Sequence, residues 1–180
     1  LQASKAFTAA DGATKVYCPL ARNQHTSKGQ TTGTQVQNVS GGLVDIKYTY
    51  TANDGTVFGP FEEKNVADGA SANFFMGDPA LNIPANTLGS AKITSTGAVV
   101  AVTNDKGTAG GYERVTTYAC FGSGGTSVNV PQAKEHFGGN TTGIQTQNVG
   151  GTATKVTVVY KATNGKSLTI ESQAAVQPGS

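Results

Sequence analysis

From Val44 the chain alternates: Val44, Ile46, Tyr48 and Tyr50 are apolar or aromatic, and Asp45, Lys47, Thr49 and Thr51 between them are polar. A period of two places one set on each side of a pleated ribbon, so the stretch predicts a half-buried β-strand. Val156, Val158 and Tyr160, set against Lys155, Thr157 and Val159, repeat the pattern further along. The two stretches run into Asn53-Asp54-Gly55 and Thr163-Asn164-Gly165. Asp-Gly and Asn-Gly close tight hairpins because these residues accept positive φ. Further strands are predicted over 72–76, 91–95, 98–103 and 114–120, with breaks at Gly77-Asp78-Pro79, at Gly97 and at Asn104-Asp105-Lys106-Gly107. Phe74, Phe75, Ile93, Val100, Val102 and Val115 are the expected core of a two-sheet protein. No segment holds apolar residues at i, i+3, i+4 and i+7 over three turns, so helix is limited to single turns near 78–81 or 21–25.

Composition agrees with strands. The 180 residues include 25 Thr, 24 Gly and 17 Val against 6 Leu, and β-branched side chains suit a pleated surface better than a helix. A formal net charge of +2 is too small for the basic footprint of a nucleic-acid binder. No apolar run approaches the roughly eighteen residues of a spanning helix, so membrane insertion is not expected. Cys18 and Cys120 stand outside any C-x-x-C pair and have no His at metal-ligand spacing. A disulfide between them is the natural reading, and with it an exported protein. The opening Leu1-Gln2-Ala3 fits a mature start after removal of a leader.

The chain also repeats itself. Residues 31–39, TTGTQVQNV, return as TTGIQTQNV at 141–149, seven of nine positions identical. At the same offset of 110, Gly41 meets Gly151, Tyr50 meets Tyr160, Ala52 meets Ala162, Gly55 meets Gly165 and Val66 meets Val176. A period of about 110 residues is the size of a β-sandwich domain rather than of a solenoid turn. The reading is therefore an extended N-terminal arm (1–15), a first β-sandwich repeat (16–120), a Gly/Ser linker (121–127) and a second, incomplete repeat (128–180). The second copy has no counterpart of residues 71–120. A half sandwich leaves apolar surface and strand edges open, so a continuation of the chain or a neighbouring molecule is expected to cover it.

Chemistry was sought at every polar cluster. His25 and His136 fall at nearly equivalent places, but each has too few companions for a metal site. Glu62 and Glu63 are adjacent, which on a strand sends them to opposite faces and makes no acid–base dyad. Gly122-Ser123-Gly124-Gly125 lacks the Lys-Ser/Thr and the helix of a phosphate loop. The Asn/Asp turns lack the spaced carboxylates of a calcium loop. No catalytic residue, cofactor or metal is assigned, and the chain is not read as an enzyme. Asn38-Val39-Ser40 and Asn140-Thr141-Thr142 are sequons, so Asn38 and Asn140 are candidate glycan carriers on exposed loops. Gln35, Gln37, Asn38 and their counterparts Gln145, Gln147, Asn148 read as an outward polar strand face.

The succession of a Pro, a Thr-Gly-x-Gln-x-Gln-Asn strand, an alternating Val/Tyr strand closed by Asn-Asp-Gly and a Gly-Ser-Ala strand resembles tandem β-sandwich repeats of secreted prokaryotic surface and filament proteins. The resemblance covers nearly all of the chain after about residue 16 and implies an extracellular structural or adhesive role. The expected fold is an all-β, Greek-key, immunoglobulin-like β-sandwich in tandem. The expected function is a subunit of a filament, pilus-like fibre or surface layer, a homopolymer joined through strand edges. Ala3, Lys5, Phe7 and Ala9 alternate with Gln2, Ser4, Ala6 and Thr8, so the arm is a candidate donor strand for a neighbour's sheet. The rival is a carbohydrate-binding or adhesive module, weakened by the absence of Trp, since sugar platforms rest on exposed aromatic rings.

Overall fold

A computed structural model describes residues 6–107, 114–139 and 141–180. The fold is all-β. β1 (Ala13–Asn23), β2 (Thr31–Asn38), β3 (Val44–Ala52), β4 (Val57–Val66), β5 (Ser71–Phe75), β6 (Thr87–Gly107) and β7 (Arg114–Ala119) form one curled antiparallel sheet. β8 (Thr157–Lys161) and β9 (Ser167–Glu171) form a separate hairpin.

The 21-residue β6 organises the large sheet. Its first half lies between β1 and β3, and its second half between β2 and β7. The sheet curls along this strand, which carries it from one wall of the core to the other. The predicted strands 91–95 and 98–103 are thus a single element, and Gly97 lies inside it rather than ending it. Asn104-Asp105-Lys106-Gly107 is likewise not a turn, because these residues pair with Thr117, Thr116, Val115 and Arg114 of β7. The helical turn expected near 21–25 is also absent, since β1 continues to Asn23 and the chain then reverses through a His25–Gln30 bridge. The turn near 78–81 does form, as a 3-10 turn over Pro79–Leu81 capped by the Asp78 carboxylate on the Ala80 N–H.

The core follows the predicted alternation. Ile46, Tyr48 and Tyr50 are fully buried, with Val16, Val36, Phe74, Met76, Ile93 and Val99 around them. The Tyr48 ring stacks on Phe74 at 4.8 Å between centroids. Phe75 and Val115, expected in the core, are about half exposed. Phe75 follows the inward-facing Phe74 and so lies on the outer face. Cys18 and Cys120 are joined in a disulfide with Cα atoms 4.7 Å apart. It ties β1 to the end of β7, where Phe121 also bridges to Tyr17.

In the N-terminal arm, residues 6–12 form no strand, while 13–15 open β1 and pair with β6. Residues 6–8 lead into a 3-10 turn, Ala9–Asp11, held by the Thr8 N–H and hydroxyl donating to the Asp11 carboxylate at 2.7 and 2.8 Å. A side chain that bends its own backbone competes with extension. The donor alternation proposed for Phe7 and Ala9 is thus not realised in this state, and Ala3 and Lys5 lie outside the described residues.

Candidate functional site

Asn38 stands at the end of β2, fully buried. Its amide donates to the carbonyls of Gly42 (2.6 Å) and Val66 (2.9 Å), and its carbonyl oxygen accepts from the Ser40 N–H at 2.9 Å. Its backbone N–H and C=O bond Ala70 and Gly69. One side chain thus fastens the exit of β2, the turn into β3 and the end of β4. Asn38, expected as a glycan carrier on an exposed loop, is instead enclosed, with both amide protons committed. Nor is Asn38 part of an outward row: Gln35 and Gln37 face solvent while Thr32, Thr34, Val36 and Asn38 face inward. Asn140 lies outside the described residues.

Asn148, 110 residues later, makes the same contacts. Its amide donates to Thr152 O (2.8 Å) and Val176 O (2.9 Å), and its carbonyl accepts from Gly150 N at 2.9 Å. Its backbone pairs with Ser180 and Gly179. The hairpin turns agree as well: Ala52 N donates to Thr56 O and Ala162 N to Lys166 O, both at 2.8 Å. Asp54 accepts from the Thr56 N–H (2.9 Å), and Asn164 from the Lys166 N–H (3.1 Å). The Thr56 bond holds the exposed Asp54 carboxyl below its ordinary pKa.

Beyond this shared framework the two regions part. In the large sheet β3 is flanked by β4 and β6, and Ile46, Tyr48 and Tyr50 are sealed. Their counterparts Val156, Val158 and Tyr160 are only half-buried, and among the described residues β8 pairs with β9 alone. Val158 lies opposite Ile170 and Tyr160 opposite Leu168. Directly opposed residues share a face, so these side chains form one apolar surface, on which Leu168 and Ile170 are each 56% exposed. The segment 141–148 forms no strand, although 31–38 is a full strand between β5 and β6.

The strand edges also differ. β4 has an unpaired outer edge that carries Pro60, Glu62, Glu63 and Lys64, the residue types that discourage strand addition. The corresponding residues beside and beyond β9 are Ile170, Ser172, Gln173 and Ala174. Within β9 the charge is the exposed Glu171, paired with Lys155 at 3.2 Å.

The two parts touch through a small set of polar contacts. Ser90 Oγ donates to Gly179 O at 2.6 Å, and Gln147 Nε2 donates to Ala91 O and Gly179 O at 3.3 and 3.2 Å. A shallow cavity of about 160 Å³ beside them is lined by Tyr17, Lys92, Asn148, Val149, Pro178 and Gly179, among others. A second, of about 190 Å³, lies among Pro19, Leu20, Tyr118, Phe121 and Gln145.

Titratable groups in the large sheet serve packing. Arg22 donates through Nε to Asp105 Oδ1 at 2.9 Å and through a second nitrogen to Oδ2, which pairs the nearly buried carboxylate. The Tyr118 hydroxyl donates to Leu20 O and accepts from Leu20 N. Its burial pushes the pKa up to about 12, and desolvation raises the Tyr48 hydroxyl further. His136 is exposed with Nδ1 2.5 Å from Glu135. His25 is held by backbone pairing to Gln30. Among the described residues, no three of His, Cys, Asp and Glu gather as a metal centre would, and no helix is long and apolar enough to cross a membrane.

No protein-family model matches the chain, and no curated protein matches it. Among the solved structures that match the chain at low identity are the following two. The crystal structure of Thermotoga maritima 1070 has a TM-score of 0.52 at 17% identity, over 64% of this chain and 99% of that one. The Anabaena sensory rhodopsin transducer has a TM-score of 0.41 at 16% identity, over 50% of this chain and 93% of that one. The first is a distant likeness of an all-β fold. The sequence reading did not single out the buried pair Arg22–Asp105 or the Asn38 and Asn148 clasps; for the clasps, the repeated Gln-Asn-Val was the available signal.

Proposed function

We propose that this chain is an extracellular structural protein, a secreted subunit of a filament, pilus-like fibre or surface layer, assembled with copies of itself through β-strand edges. In this reading the curled sheet is an immunoglobulin-like sandwich repeat, and residues 128–180 are a second, incomplete copy of it. The equal hydrogen bonding of Asn38 and Asn148 supports the repeat. The observation that carries the function is the open face of Val158, Tyr160, Leu168 and Ile170, where the counterparts of Val158 and Tyr160 in the large sheet, Tyr48 and Tyr50, are sealed. Exposed apolar surface of this kind is what an associating protein presents and a solitary one avoids.

Electron microscopy and sedimentation velocity of the purified chain test this. Fibres, sheets or concentration-dependent oligomers are expected. A monodisperse monomer up to millimolar concentration overturns the proposal. The carbohydrate-binding alternative draws on the exposed Phe121 beside Tyr118 and Gln145 at the larger cavity. A ring with one side-chain amide near it supplies little of the polar fixing a sugar needs. Glycan-array binding without assembly would favour that alternative.

A further inference from the structure

We propose that Asn164 is a site of spontaneous deamidation, in which the Gly165 backbone nitrogen displaces the side-chain amide, and that the aspartate formed fills the place Asp54 holds in the β3–β4 turn. The reaction requires water, and neither a partner chain nor assembly.

Sequence and exposure together select this residue. Of the twelve asparagines, only Asn164 precedes a glycine. A side chain on the following residue crowds the attacking nitrogen, whereas glycine presents none and turns freely. Asn164 is exposed, and a Cβ built on Gly165 would meet nothing within 4 Å, so solvent reaches the reacting atoms. Asn38 and Asn148, by contrast, are buried, precede Val39 and Val149, and have their amides bonded to carbonyls. In the folded turn both reacting groups are engaged: Gly165 N donates to Ala162 O at 3.0 Å, and Asn164 Oδ1 accepts from Lys166 N at 3.1 Å. Their release needs only a local opening of β8 from β9. A two-stranded hairpin is marginal on its own, every residue of β9 is exposed, and among the described residues neither strand has a third strand beside it.

The step balances with water alone. The Gly165 nitrogen gives up its proton and bonds to Asn164 Cγ, the Cγ–Nδ2 bond breaks, and ammonia leaves with the proton. Water then opens the cyclic imide. Cleavage between the nitrogen and Cγ yields aspartate, and cleavage at the backbone carbonyl yields isoaspartate, whose main chain is longer by one carbon. Nothing is oxidised or reduced. The β3–β4 turn shows what an aspartate does in this setting: Gly55 N donates to Ala52 O at 2.9 Å, and the Asp54 carboxylate accepts from Thr56 N at 2.9 Å. Aspartate at position 164 therefore keeps the Lys166 bond and adds a negative charge between the exposed Lys161 and Lys166. Isoaspartate shifts the turn against both strands and undoes their register. Asp54-Gly55 closes the same ring far more slowly, because the Thr56 bond keeps its carboxyl ionised and a carboxylate oxygen is a poor leaving group.

The test is incubation of the full chain at mildly alkaline pH, beside Asn164→Gln and Asn164→Asp chains and a synthetic peptide of residues 162–166, followed by tryptic mapping and amide hydrogen exchange. Trypsin cuts after Lys161 and Lys166, so the site falls on one short fragment. That fragment should gain the mass of an amide-to-acid change and split into two products, at least about tenfold faster than any other asparagine reacts. The free peptide should convert ahead of the chain, and Asn164→Gln should keep its amide. Asn164→Asp should retain exchange protection over 157–161 and 167–171, which isoaspartate-bearing chains should lose. An Asn164 that stays intact long after the peptide has converted, or another asparagine that reacts first, overturns the site. Ammonia released as fast from the Asn164→Gln chain does the same. Loss of protection in Asn164→Asp overturns the fit to the place of Asp54.

Discussion

Asn38 closes three orphaned backbone groups with one amide, so its removal is felt beyond its size. In Asn38→Ala the carbonyl of Val66 and the N–H of Ser40 lose their partner, and the carbonyl of Gly42 is left with the Ser40 hydroxyl at 3.3 Å. Buried groups left in that state cost about 1–3 kcal/mol each where water cannot reach them. Two of the three lie near the surface, so a total of about 2–4 kcal/mol is expected, read as a lower urea midpoint. Asn148→Ala breaks the same bonds at a more open place, where water replaces them, and about 1 kcal/mol or less is expected. Tyr118 supplies a pH dependence. Its folded pKa is raised to about 12 by burial, above the ordinary value near 10. The stability it contributes is therefore fully present below about pH 10 and is lost as pH rises towards 12. Alkaline titration followed by tyrosinate absorbance should show a late-ionising class that appears together with unfolding. Tyr118→Phe should shift that transition and cost about 1–2 kcal/mol at neutral pH, because Leu20 N–H and C=O lose their partner.

At the scale of elements, β6 holds the large sheet together, and Gly89 is its tightest point. Gly89→Ala drives a methyl into the β3 backbone, so β3 and β6 must separate locally. A loss of about 3 kcal/mol or more is expected, measured by chemical denaturation. Reduction of Cys18–Cys120 acts from the other side of β6, through the unfolded chain. Its loop of about a hundred residues is worth about 4–5 kcal/mol in the chain-entropy model, so the reduced protein should melt well below the oxidised one. The sequence showed β3, β5, β7 and the hairpin turns because alternation and Asp-Gly or Asn-Gly are local signals. The joining of 91–95 to 98–103 was hidden, since Gly97 punctuates the sequence, whereas in the sheet it is a strand residue at a point where Val44 and Ser40 leave no room for a Cβ. Asp105 was hidden for a related reason: an Asn-Asp-Lys-Gly run signals a turn, and only the distant Arg22 turns it into a paired strand residue. The candidate site was half legible. The repeated TTGxQxQNV located 141–148, but that segment reads as a strand in isolation, and no local pattern reveals that it forms no ladder.

For the whole molecule, these elements make a strong unit joined to a weak one. The large sheet has its own sealed core and its own disulfide, and the second region rests on it mainly through Ser90, Ala91, Gln147 and Gly179. Stability and association should therefore separate under mutation. Val158→Asp with Tyr160→Ser changes side chains on the half-buried face of β8, away from the core around Tyr48. The melting temperature of the large sheet should move by no more than a degree or two. Association, in contrast, should suffer. An apolar side chain gains about 1.5–3 kcal/mol on full burial. These residues are half covered already, so losing both removes roughly 1.5–3 kcal/mol of docking energy, a weakening of about ten- to a hundredfold. Sedimentation and calorimetry on the same samples check both halves of the expectation. If the double variant melts early, the hairpin belongs to the core of the first unit. If it melts normally and still assembles, the contacts between molecules run through some other edge.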